Sequence, residues 1–186
     1  MLIFFGIACI LIVFIFVGSY NSLVLGKNAV THSFSSLDVI LQKRYDLLPN
    51  LVELVKQYKD FESDTLVKMA QTRGQVLDSN LSNGDRIAFD NQLSSIMRGF
   101  MTYVQTYPNF ETSDKFRELQ RIWVETEEQI AAARRTYNAS VIHYNNNVMV
   151  FPKNLFANLF GHSPMAVLET PAEERKNISA KALFNS

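Results

Sequence analysis

The sequence predicts an all-α protein: an N-terminal transmembrane helix followed by a four-helix, up-and-down bundle of long antiparallel helices. Three observations carry this. The first 26 residues hold no charged side chain, and the sixteen from Leu2 to Val17 are all apolar or glycine. Glycine and proline number 7 and 5 in 186 residues, so little interrupts a helix. Beyond the apolar start, large apolar residues recur at spacings of three, four and seven, the period of a helix that buries one face.

The apolar start is read as a membrane anchor over residues 1–22. A bilayer core takes about 20 mostly apolar helical residues. Leu2 to about Ser22 supplies them, with Tyr20 where an interfacial aromatic anchor belongs. No basic residue precedes the run and no small-residue cleavage site follows it, which favours an uncleaved signal anchor over a cleaved signal peptide. Cys9 lacks the large aliphatic residue expected ahead of a lipid-modified cysteine. Lys27, Lys43 and Arg44 are the first cations, all after the span, and lean the domain toward the cytoplasm.

All 18 basic and 18 acidic residues lie outside the span, so the remaining domain is formally neutral. That argues against nucleic acid as a partner, which needs a basic face. The only cysteine is in the span, so no intramolecular disulfide forms and the redox compartment is unreadable.

The bundle is placed at residues 23–162. Its first helix, about 23–46, carries Leu23, Val30, Phe34, Leu37 and Leu41 on one stripe, with no breaker between it and the span. Asp46-Leu47-Leu48-Pro49-Asn50 predicts a helix end near Asp46 and a restart at Pro49, since proline is tolerated in a first turn and costly in an interior. One long kinked helix is the alternative. The second helix then runs over 49–78, with Leu48, Leu51, Val55, Phe61, Leu66 and Met69 apolar. Ser79 to Asp85 reads as a loop, and Ser82 with Asp85 resembles a capping box. The third helix, 85–107, has Phe89, Leu93, Ile96, Phe100, Tyr103 and Tyr107 on its stripe, and ends at Pro108-Asn109. The fourth, 112–148, repeats Phe116, Trp123, Ile130, Tyr137 and Tyr144 every seven residues, with Leu119, Thr126, Ala133 and Ser140 between them. Such a repeat keeps one face on a neighbouring helix.

Short connections favour antiparallel neighbours, so the fourth helix returns toward the membrane. A short helix over 152–160 would follow, with Phe151, Leu155, Phe156, Leu159 and Phe160 on one face. That face either caps the bundle's open end or contacts the membrane or a partner. Residues 163–186, with Pro164, Pro171 and mixed charge, read as a flexible tail.

These residues resemble a known family. Tyr20-Asn21 after the span, and Arg44-Tyr45-Asp46-Leu47-Leu48-Pro49-Asn50-Leu51-Val52 with Val55-Lys56, look like the signature of the LemA family. Tyr107-Pro108, Glu127, Ala133-Arg134, Tyr137-Asn138, Tyr144-Asn145, Phe151-Pro152 and Phe160-Gly161 follow in the same order. Asn109 to Asp114 depart from the usual Leu-Lys-Ala-Asn after the Tyr-Pro. The resemblance implies a bacterial single-pass protein of the inner membrane with a bromodomain-like helical bundle and no established enzymatic activity. It also implies links to envelope maintenance, through gene neighbours that include a membrane heat-shock metalloprotease, and a relative that helps build magnetosome membranes.

No catalytic constellation is visible. His32, His143 and His162 have no partner at metal-ligand spacing, and no phosphate-binding glycine loop or nucleophile elbow occurs. The expectation is therefore no catalytic residue, no metal and no cofactor. Tyr137 and Tyr144 share a stripe, with Asn138 and Asn145 on the next. Two readings stay open: core tyrosines with satisfied hydroxyls, or a polar ladder locking the fourth helix against the membrane-leaving helix. Arg44 and Asp46 are expected to brace the proline turn rather than bind a ligand. The function expected is that of a non-enzymatic, membrane-anchored scaffold or adaptor. Its partners would be membrane lipid through the N-terminal helix, other membrane or envelope proteins, and a second copy through a span with no polar residue that needs hiding. The alternatives are membrane remodelling through the Phe-rich segment, or service as an accessory subunit of a membrane enzyme.

Overall fold

A computed structural model describes residues 1–56, 63–76, 81–104 and 113–169. The described residues form helices α1 (Leu2–Tyr45), α2 (Leu48–Lys56), α3 (Ser63–Val76), α4 (Asn83–Val104), α5 (Asp114–Met149) and α6 (Lys153–Leu159), with no strand among them. The all-α expectation holds.

Helix α1 is 44 residues long and continuous from the apolar run into the bundle. No break separates Tyr20 from Val30, so the span and the first bundle helix are one element. By length and composition, its N-terminal part can cross a bilayer, and Leu2 to Val17 stand almost wholly exposed. The stripe read from sequence is buried: Leu23, Val30, Phe34, Leu37 and Leu41 are each 8% exposed or less. The buried row also includes Ser19, Gly26, Ser33 and Arg44, small or polar residues that a hydrophobic stripe does not reveal.

At Asp46 the backbone stays right-handed helical, Leu47 N–H bonds back three residues to Arg44, and α2 starts at Leu48. Pro49 therefore sits in a first turn, where its missing N–H is not needed. The direction of the chain is settled by α5. Arg44 of α1 reaches Glu127, and farther on Asn50, Glu53 and Leu54 of α2 line a cleft with Asp114, Lys115 and Leu119. The antiparallel register with α5 runs through the interruption, so Asp46–Leu47 is a kink and not a reversal. The expected helix end near Asp46 and restart at Pro49 are observed to within a residue, and α2 continues along α1 as the kinked alternative has it. The rest of the 49–78 helix appears as α3, and residues 57–62 and 77–80 lie outside the described residues.

Helix α4 begins two residues earlier than expected. Ser82 accepts a hydrogen bond from the Asp85 N–H at 3.1 Å and donates to its carboxylate at 2.6 Å, so the capping residues do cap. Its buried row is Ile87, Asp90, Leu93, Ser94, Met97 and Phe100, while Phe89 and Ile96 are half-buried. The stripe is rotated from the expected one because a buried aspartate lies on it. The turn at Pro108-Asn109 lies outside the described residues.

Helix α5 fulfils its repeat. Phe116, Trp123, Ile130, Tyr137 and Tyr144 are all buried, and Thr126 is fully so. It packs antiparallel to α1, with Phe34 against Tyr137 (ring centroids 5.6 Å). A Cβ on Gly26 would lie 3.3 Å from Cδ2 of Tyr144 and 3.5 Å from Nδ2 of Asn147, so the glycine lets the two helices approach closely. The helix ends through Val150, and α6 follows at once.

Helix α6 ends in a Schellman turn. Gly161 (φ 68°) bonds to Asn158, and His162 N–H bonds to Ala157 at 2.9 Å. The chain then folds back along α5. Residues 163–169 are held there, which corrects the expectation of a flexible tail from Ser163. Residues 170–186 lie outside the described ones.

Candidate functional site

Two polar constellations stand out, one in the middle of the bundle and one at the end that faces the apolar run. The first joins three helices. Arg44 of α1 is 1% exposed and donates through Nη1 to both carboxylate oxygens of Asp90 on α4, at 3.2 and 3.4 Å. Its Nη2 meets Glu127 of α5, and its guanidinium carbon lies 4.0 Å from the centre of the Trp123 ring. Arg134 of α5 donates to Asp90 at 2.9 Å and to the Asn91 side chain at 2.7 Å.

Two cations thus face two anions, so burial is tolerable: a buried charge must be paired. Burial pushes the Asp90 carboxyl above the usual carboxylate range, and Arg44 and Arg134 oppose that shift. Burial also pushes the neighbouring Tyr45 phenol up. The cavity beside the network measures about 30 Å³, enclosed by Arg44, Asp90, Asn91, Ser94, Glu127 and Arg134 among others. A void of that size holds about one water molecule and no substrate. Nε of Arg44 and of Arg134 find no protein partner among the described residues. The arrangement can brace helices.

The second constellation pins α6 and the returning segment. Lys153 Nζ donates to Ser22 Oγ at 2.8 Å and to Asn147 Oδ1 at 2.7 Å, tying α6 to both α1 and α5. Tyr144 Oη and His162 Nδ1 share a hydrogen bond of 2.9 Å. Asn145 donates to the carbonyl of Met165 and accepts from its N–H, both at 2.8 Å. Asn138 does the same with Leu168, at 2.9 and 2.8 Å. The two asparagines stand seven residues apart on α5, so they grip an extended strap at two points. They do not touch α1 in these bonds, which corrects the polar-ladder reading.

The remaining sequence-predicted residues divide plainly. Arg44, Tyr45, Tyr137 and Tyr144 are buried. Asp46, Pro49 and Asn50 are exposed, and among the described residues the Asp46 carboxylate accepts from Gln42, one turn back, while Arg44 turns to Asp90 and Glu127. Tyr20 is half exposed and Asn21 exposed. The Phe-rich face is split, because helix geometry turns its members two ways. Phe156 and Phe160 pack on α1, while Phe151, Leu155 and Leu159 point outward. Pro152 caps α6. Asp90 and Lys153 were missed by sequence reasoning, as was the stacking of Arg44 on Trp123. An aspartate three residues from Ile87 and three from Leu93, on a buried row, was the available signal for the first. No group of histidine, cysteine or acidic residues that could hold a metal occurs among the described residues.

A sequence model of the LemA family matches residues 33–181. Protein LemA of Metamycoplasma hominis is 22% identical over 184 residues, covering 99% of this chain and 84% of that protein. Magnetosome protein MamQ 2 of Paramagnetospirillum magneticum is 23% identical over 167 residues, with 76% of this chain matched to 61% of that protein. Magnetosome protein MamQ of Magnetospirillum gryphiswaldense is 21% identical over the same length and coverage.

Proposed function

The chain belongs to the LemA family, and we propose that it is a membrane-anchored, non-enzymatic scaffold or adaptor that holds protein partners at a fixed position relative to the bilayer. One observation carries the reading: α1 passes without interruption from the apolar run to Arg44, where the buried network ties it to α4 and α5. An anchor built this way transmits orientation, which a simple tether does not need. The buried charges of this network are spent on one another, which supports a bracing role. Relatives named as magnetosome proteins support a membrane setting.

The test is crosslinking of the full chain in cells, followed by purification in mild detergent with metal analysis. A partner, or a second copy, recovered at fixed stoichiometry is the expected result. A stoichiometric metal ion in the purified chain would overturn the non-enzymatic reading. Recovery of the chain without any stoichiometric partner would overturn the scaffold.

A further inference from the structure

Helix α6 sits at the height where α1 leaves its apolar run. The ring of Phe156 packs on Phe16 at 5.4 Å, and Phe160 packs on Phe16 at 5.4 Å and on Tyr20 at 5.0 Å. Phe16 belongs to the apolar run that ends at Val17, and Tyr20 marks the interfacial level. The inner face of α6 therefore covers the last turn of the span. Its outer face remains open: Phe151 is 74% exposed, Leu155 61% and Leu159 71%.

A second observation points to what covers that face. From Met1 to Leu37 and from Thr136 to Leu168 there is no aspartate or glutamate, and Lys27 and Lys153 are the only lysines or arginines. All the described elements at this end of the molecule come from those two stretches. An acid-free surface next to a span meets headgroup phosphates without repulsion. Lys153 adds a direction. Its amine reaches Ser22, on the side of Tyr20 away from the apolar run, as a lysine does when its stem lies in an apolar layer and its charge seeks the polar side.

We propose that α6 is an interfacial helix, with Phe151, Leu155 and Leu159 entering the headgroup–acyl boundary of the leaflet from which α1 emerges. The occupant of the open face is bilayer lipid. The inference rests on α1 being the anchor, and it adds a second attachment point. A single helix lets a domain rotate about its axis. Two attachments, locked together by Lys153 and the aromatic contacts, fix the bundle's facing as well as its distance.

The full chain reconstituted in phosphatidylcholine vesicles tests this, with lipids brominated at shallow acyl positions as the quencher. Trp123 is the only native tryptophan. It lies beside Arg44, 24 residues along α1 from Tyr20, or roughly 36 Å at helical rise, and serves as an unquenched control. Leu155→Trp and Leu159→Trp place reporters at exposed positions that leave the core intact. Emission from each variant should fall by about a third or more on bromination, with wild type unchanged. Cys9, the sole cysteine, reads the anchor separately through a membrane-impermeant maleimide. Cys9 protected with both variants unquenched overturns the interfacial helix and leaves the anchor standing. Cys9 labelled overturns the anchor, and the proposal with it. Unquenched but blue-shifted emission that depends on protein concentration assigns the face to a second copy and also overturns the proposal.

Discussion

Replacing Asp90 with alanine removes the acceptor that Arg44 and Arg134 share. Arg44 is buried and Arg134 mostly so, at 1% and 11% exposure, so water has little access to take over the lost bonds. Breaking a buried ion pair from one side costs about 3–5 kcal/mol. Arg44 keeps Glu127 and the Trp123 ring, and Arg134 keeps Asn91, which places the expected loss near the lower figure, about 3 kcal/mol. For a chain of this size each kcal/mol shifts the midpoint by about 2–4 °C, so Tm should fall by roughly 6–12 °C. The assay is thermal unfolding of the full chain in detergent, followed by circular dichroism and by emission from Trp123, which sits under Arg44. Charge removal as a set should behave differently. Arg44→Met with Asp90→Leu and Arg134→Met leaves no buried charge, and apolar replacement of buried ion pairs is often neutral or stabilising. Glu127 loses its partner but is 40% exposed and remains hydrated. The triple variant should therefore recover at least half of the stability lost by Asp90→Ala. A loss below about 1 kcal/mol for Asp90→Ala, the level of a surface ion pair, would refute the brace.

Gly26→Leu should destabilise by about 1–3 kcal/mol, the cost of overpacking, because the new side chain meets Tyr144 and Asn147 where α1 and α5 are in tight contact; equilibrium unfolding checks it, and Gly74→Leu, where a Cβ meets nothing within 4 Å, is the matched control. Asn138→Leu and Asn145→Leu should each cost about 2 kcal/mol, from two lost hydrogen bonds at about 1 kcal/mol apiece. Their signature is local: hydrogen exchange at the amides of Met165 and Leu168 should accelerate, while exchange in the middle of α1 stays slow.

How much of this was legible depends on whether a residue declares itself by periodicity. Leu23 to Leu41 and the Phe116–Tyr144 repeat did, because a helix that buries large apolar side chains must repeat them on one face. Ser82 declared the start of α4 through its backbone bond to Asp85. Asp90 did not, since an acid on a buried row looks like an error in the stripe until its two arginines are seen in space. Arg44 and Arg134 stood in the family-like motifs, but pairing across 46 and 44 residues is a tertiary fact. The strap was hidden for a similar reason. Proline and mixed composition look like a loose tail, and the bonds that hold Met165 and Leu168 run to their backbones, leaving no trace in side-chain type. The split of the Phe-rich face was in principle readable, because residues 151, 155 and 159 step by four while 156 and 160 belong to the neighbouring row.

The positions of the clamps along α1 decide how a movement at the membrane would travel. Near the span, Phe16 and Tyr20 are held by α6. At Gly26 the helix touches α5 closely, and at Arg44 it is tied to α4 and α5 together. Between the first and last of these lie 28 residues of unbroken helix, or about 42 Å at 1.5 Å per residue. A tilt imposed at the bilayer cannot be absorbed by a local bend within that stretch without breaking helical hydrogen bonds. It must move α1, α5 and α6 as one body. The first interruption comes at Asp46–Leu47, just past the last clamp. The chain therefore separates a stretch of α1 clamped at three levels from α2 beyond the kink.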